Sequence, residues 1–200
     1  MKTKFTTIIA TVALLISTIT IAQANDDAVT LTSAGHINKI EASGNVEVYI
    51  TNGKEDGVKV YNDYYAQNAM VQNEDGTLRI ASYKNDALIV LVTVTDLRAI
   101  TANDHAIIKS YNGLSALSLN IDLNDKAIAS LDVDAVAANI TVNDNARADL
   151  YGMIQNYHID YSATASVNKN ELEAYSSSER EIVKPTFSRT PRNFRVTAAL

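Results

Sequence analysis

Four tyrosines, Tyr61, Tyr64, Tyr65 and Tyr83, cluster in a chain that has no tryptophan and three phenylalanines. A phenol ring offers stacking area and a polar tip together, the combination that sugar and protein ligands require. These four are the candidate ligand-binding residues, set against a reading in which the insertion around "YYAQNAM" only packs on the flank of the domain. A second group is the acid of a recurring Asn-Asp pair: Asp104, Asp125 and Asp144. Stacked above one another, three carboxylates could hold calcium. The competing reading is a corner, because Asn and Asp tolerate left-handed backbone angles and cap the amide two residues on. Seven glycines are too few for the glycine-rich calcium repeat, which favours the corner.

Other chemistry is poorly supplied. The three histidines, at 36, 105 and 158, lie at no metal-ligand spacing. No G-x-S-x-G or S-x-x-K motif supplies a serine nucleophile, and no phosphate-binding glycine loop occurs. Catalysis by paired carboxylates needs two acids on neighbouring elements. The outward columns Thr101, Asp122, Thr141, Asp160 and Lys109, Ser130, Asp149, Asn168 do not provide them. The expectation is therefore no enzyme, no catalytic residue and no cofactor, with calcium the one alternative.

The elements that carry these residues are set by a repeat. Six Asn-Asp pairs occur where composition alone would give about one. The rungs "ITANDHAII", "IDLNDKAIA", "ITVNDNARA" and "IDYSATASV" align residue by residue. Ile100, Ile121, Ile140 and Ile159 form one column, spaced 21, 19 and 19. Ala102, Leu123, Val142 and Tyr161 form a second, and Ala106, Ala127, Ala146 and Ala165 a third. Apolar and polar residues alternate with period 2 inside each rung, the mark of strands with one buried face. Strands too short for a core of their own, repeated about every 20 residues, predict an all-β fold: a parallel right-handed β-helix or β-solenoid of short strands. Stepping the column backwards by 20 reaches Ile80, Val60 and Ile40, which extends the stack to about Ile37. A β-hairpin on Asp75-Gly76 is the other account of "MVQNEDGTLRI".

Composition bounds the rest. The chain has 200 residues, 46% of them hydrophobic, enough for one core. Lys2 and Lys4, the apolar run from Phe5 to Ala22, and Ala22-Gln23-Ala24 read as a cleaved signal peptide over residues 1–24. An uncleaved anchor is the alternative. Without cysteine the protein has no disulfide and no thiolate site. The formal charge of −6 divides into a tail at residues 179–200 carrying +3 and an acidic body, which disfavours nucleic acid and anionic lipid. Three parts are expected: signal peptide 1–24, β-solenoid domain 25–175, and a basic tail 176–200 that is disordered or loosely docked.

The run "EASGNVEVYITNGKEDGVKVYNDYYAQNAMVQNEDGTLRIASY", followed by "VTVTDLRAITANDHAIIKSY" and the Asn-Asp-x-Ala rungs, resembles the putative auto-transporter adhesin, head GIN domain family of the Bacteroidetes. The resemblance covers roughly residues 37–175. It implies an exported β-helical or solenoid domain and carries over no catalytic residue. The expected function is a non-enzymatic envelope or surface module binding a glycan or a protein, found in the periplasm, on the cell surface or outside the cell. The alternatives are a carbohydrate-active enzyme on the same scaffold and a structural solenoid that associates end to end.

Overall fold

The computed structural model describes residues 29–31, 35–61 and 69–183. Every regular element among them is a strand, so no helix there could cross a membrane. In chain order they are β1 (Val29–Leu31), β2 (Lys39–Gly44), β3 (Val46–Asn52), β4 (Gly57–Val60), β5 (Ala69–Glu74), β6 (Thr77–Ser82) and β7 (Leu88–Val94). There follow β8 (Ala99–Ala102), β9 (Ile107–Ser110), β10 (Leu114–Leu123), β11 (Ile128–Val142), β12 (Arg147–Ser162), β13 (Ser166–Glu173) and β14 (Ser176–Ile182). The fold is all-β. Residues 1–24, expected as a signal peptide, and residues 184–200 of the tail lie outside the described residues.

The predicted columns are hydrogen-bonded ladders. Ile121 of β10 faces Ile100 of β8 on one side and Ile140 of β11 on the other, and Ile140 faces Ile159 of β12, all in parallel pairs. One ladder runs β6, β2, β8, β10, β11, β12, β14. A second runs β7, β3, β9, β11, β12, β13. The inward residues of both ladders form one core, in which Ile40, Ile100, Ile121, Ile140 and Ile159 are almost wholly buried. Ala106, Ala127 and Ala146 are completely enclosed, because only a methyl group fits where the chain turns between the ladders.

Three expectations need correction. The stack is not in sequence order: β2 lies between β6 and β8, so the segment 39–52 is sandwiched by later ones. The backward column therefore slips. Ile40 faces Leu78 rather than Ile80, which faces Ala42, and Val60 lies antiparallel against Val90. Secondly, the strands are not all short, since β11 has 15 residues and β12 has 16. Each runs from one ladder to the next, the pairing between them skipping one position at Val136 and Gln155, and Gly152 (φ 91°) serves one bend, where a Cβ would lie 2.6 Å from the Val133 carbonyl oxygen. Thirdly, residues 176–182, grouped with the tail on sequence, form β14 and extend the first ladder.

Antiparallel strands finish one end of the stack. β5 pairs with β6 through the Asp75-Gly76 turn (φ 50° and 79°), as the hairpin account expects. β4 pairs with β7, and β1 with β4. The Asp56 carboxylate ties this end down by accepting hydrogen bonds from the Ile37 amide at 3.0 Å and the Thr95 amide at 2.6 Å.

Candidate functional site

Three of the Asn-Asp pairs, at 103–104, 124–125 and 143–144, are corners, and their geometry accounts for both residues. Asp104, Asp125 and Asp144 have φ of 59°, 59° and 53°, in the left-handed region, and Gly44 occupies the equivalent position with φ 78°. Each corner closes with the fourth residue's amide on the first residue's carbonyl: Ala106 on Asn103, Ala127 on Asn124, Ala146 on Asn143. The asparagines then stack. Asn124 Nδ2 donates to Asn103 Oδ1 and Asn143 Nδ2 to Asn124 Oδ1, both at 2.9 Å. The aspartates stack differently, two of them capping the neighbouring corner: Asp125 Oδ2 accepts from the Asp104 amide at 3.2 Å, and Asp104 Oδ2 from the Gly44 amide at 3.1 Å. Among the described residues no group of three or more His, Asp or Glu side chains is placed to hold a metal.

Tyr61 and Tyr83 line different depressions, and Tyr64 and Tyr65 lie outside the described residues. Tyr61 continues β4, its amide bonded to the Ile89 carbonyl at 3.0 Å. It lines a groove of about 480 Å³ with Tyr49, Ile89, Leu91 and Tyr111. The strand register builds this groove. Tyr49 faces Leu91 on β7 and Lys109 on β9, while the Tyr111 amide bonds the Ile50 carbonyl at 2.7 Å. Outward positions that elsewhere carry polar residues are here apolar or aromatic.

One polar cluster flanks the rings. Lys109 Nζ lies 5.4 Å from the centre of the Tyr49 ring and donates to Glu47 Oε1 at 2.5 Å, and the Tyr49 hydroxyl donates to the same oxygen at 2.7 Å. Hydrogen bonds from Lys109 and then Tyr49 hold the Glu47 carboxyl below its ordinary range. The same contact with Glu47 raises both the Lys109 ammonium and the Tyr49 hydroxyl. The tyrosine is thereby fixed at its hydroxyl tip.

Tyr83 belongs elsewhere, at the Gly44 corner. With Gly44, Asn45, Lys84, Asn85, Asp104 and His105 it lines a pocket of about 490 Å³. His158 stands at the surface, with Nδ1 2.7 Å from Ser178 Oγ and Nε2 3.1 Å from Asp160. Tyr49 and Tyr111 were not among the sequence candidates. The signal that finds them is the register between β3 and β9, sixty residues apart, which no local repeat reveals.

Over residues 36–179 the sequence matches the family described as putative auto-transporter adhesin, head GIN domain. The chain belongs to this family. No curated protein matches it. The head GIN domain is also similar to solved structures. A putative adhesin from Bacteroides fragilis NCTC 9343 superposes with a TM-score of 0.66 at 18% identity, over 78% of this chain and 77% of that one. A putative adhesin from Parabacteroides distasonis ATCC 8503 gives 0.59 at 12%, over 77% of each chain. A protein from the same organism described as a putative lipid binding protein gives 0.55 at 9%, again over 77% of each. At these identities the likeness is one of fold.

Proposed function

We propose that this head GIN domain is an exported, non-enzymatic recognition module of the cell envelope or surface, which holds a segment of a protein partner in the Tyr49–Tyr61–Tyr111 groove. The observation that carries the reading is that groove: three tyrosine rings beside Ile89 and Leu91, on a sheet face whose period-2 pattern should be polar. Tyrosine supplies large contact area at low conformational cost, as binding hot spots require. A glycan is the weaker candidate here, because Lys109 and Glu47 already satisfy each other. The family description as an adhesin favours adhesion over catalysis.

The scaffold in this proposal is a right-handed β-solenoid. Parallel ladders with partners 19 to 21 residues apart support it, together with the right-handed crossover usual between parallel strands. The Asp104, Asp125, Asp144 column is read as structural corners, on the strength of its backbone angles and amide caps.

The test is selection of a random peptide library on the full chain, alongside a glycan array and lipid vesicles, each with and without calcium. Peptides rich in aromatic and apolar residues are expected, with binding reduced at least tenfold by Tyr49→Ser with Tyr111→Ser and unaffected by Tyr83→Ala. Vesicle binding that depends on the groove tyrosines would make a lipid the ligand, the class named in the description of one similar structure. Turnover of a polysaccharide would revive the enzyme reading, and calcium-dependent binding the metal reading. No ligand sensitive to the groove tyrosines would end the proposal.

A further inference from the structure

The pocket at the Gly44 corner has different chemistry from the groove. Tyr83 is 75% exposed, yet it is held at two points. Its ring lies so close over Gly44 that a Cβ there would come within 3.1 Å of ring atom Cδ1. Its hydroxyl reaches Asp104 Oδ2 at 3.4 Å. Gly44 in turn is fixed, because its amide is bound by the same carboxylate oxygen and its backbone stacks on Ser82. An exposed aromatic ring that is anchored by its edge and its tip is a stacking surface whose ordering cost is already met by folding.

The groups around the ring are uncommitted. The side chains of Lys84, Asn85 and His105 have no hydrogen-bond or ion-pair partner among the described residues, and neither has Asp104 Oδ1. Asn45 spends its Nδ2 on the carbonyls of Lys84 at 3.1 Å and Asn85 at 2.8 Å, which shapes the floor and leaves its Oδ1 available. The pocket thus presents an ammonium, an imidazole, a carboxylate oxygen and amides beside one aromatic face.

That mixture selects among ligands. A phosphate or sulfate would meet the Asp104 carboxylate, and a metal cation would meet Lys84 with one carboxylate to hold it. An apolar peptide segment would bury these polar groups unpaired. A pyranose ring satisfies all of them: its axial C–H face stacks on an aromatic ring, and neighbouring hydroxyls each donate and accept.

We propose that the Tyr83 corner pocket is a saccharide-binding site, in which a pyranose unit stacks on Tyr83 while its hydroxyls bond Asp104, Asn85, Lys84 and His105. The site is separate from the tyrosine groove, so it stands or falls independently of the protein-binding reading. With both sites present, the domain can bridge a glycan and a protein.

The experiment is a glycan array of pyranose-terminated oligosaccharides, probed with the full chain gathered into tetramers to offset weak binding per site. Binding to a defined set of glycans is expected, falling at least tenfold with Tyr83→Ala and with Asn85→Ala. Tyr83→Phe, which keeps the ring and loses the Asp104 contact, should fall less. Tyr111→Ala, in the groove, should leave glycan binding unchanged. Circular dichroism and thermal unfolding of each variant separate a lost site from a lost fold, and Asn85→Ala, at an exposed side chain, serves where Tyr83→Ala unfolds. An array blank for the parent chain, or glycan binding that survives both Tyr83→Ala and Asn85→Ala in folded protein, would overturn the assignment.

Discussion

At the scale of single residues, the corners divide labour between two neighbouring side chains. Asn124 both donates to Asn103 and accepts from Asn143, so Asn124→Ala removes two hydrogen bonds and strands the remaining amide groups on either side. The expected cost is roughly 1–3 kcal/mol, read as a lower urea midpoint at unchanged slope. Asp125 has a different task, holding φ at 59° while it caps the Asp104 amide. Asp125→Asn should be nearly neutral and Asp125→Gly mildly destabilising, whereas Asp125→Val should cost roughly 1–2 kcal/mol or more from backbone strain alone. Thermal melts of the three variants check that order. A calcium site would instead make Asp125→Asn the variant that loses a calcium-dependent rise in midpoint.

At the scale of elements, the ladders meet across alanine methyls. Ala127 is wholly enclosed between Ala106 and Ala146, so Ala127→Leu must push the chain apart where it passes from β10 to β11. A loss of roughly 1–3 kcal/mol is expected, with larger loss if the turn closure from the Ala127 amide to the Asn124 carbonyl opens as well. The same register that buries alanines inward assembles the groove outward. Tyr49, Leu91 and Lys109 share one outward row only because β3 lies between β7 and β9. The groove is therefore a property of strand order, and a variant that disturbs β3 pairing would lose the site and the fold together.

At the scale of the whole molecule, an acidic chain is held partly by carboxylates that need to be ionised. Glu47 is depressed by its hydrogen bonds from Lys109 and Tyr49, and Asp149 first by Arg147 and also by Asn168. Burial pushes the Asp56 carboxyl up, but the Ile37 and Thr95 amides and His36 outweigh it and leave it lowered. A carboxyl lowered in the folded state contributes stability that is complete above its unfolded value and is lost as pH falls through the folded one. Stability should thus be level from neutral pH to about 5 and decline below about 4, with Asp56→Asn flattening that decline in urea titrations at each pH. The β2–β8 and β3–β9 pairs join residues sixty apart in sequence, so refolding is expected on the slow side, in milliseconds to seconds by stopped flow.

The sequence by itself determined the all-β class, the columns from Ile100 to Ile159 and the left-handed Asp corners. These are legible because each strand pairs with the segment one repeat away, where spacing in sequence maps directly onto spacing in the ladder. The Asp75-Gly76 hairpin was legible for a related reason, since a tight turn is written in its own residues. Tertiary structure decided the rest. Nothing local says that β2 and β3 insert between strands that come later in the chain, because their pairing partners lie about 40 to 60 residues away. That one choice of order slips Ile80 out of the Ile40 column and separates Tyr61 from Tyr83. It also brings Tyr49 beside Tyr111 across sixty residues of chain. Both proposed binding surfaces arise at those non-sequential contacts, where side chains on distant segments face the same solvent.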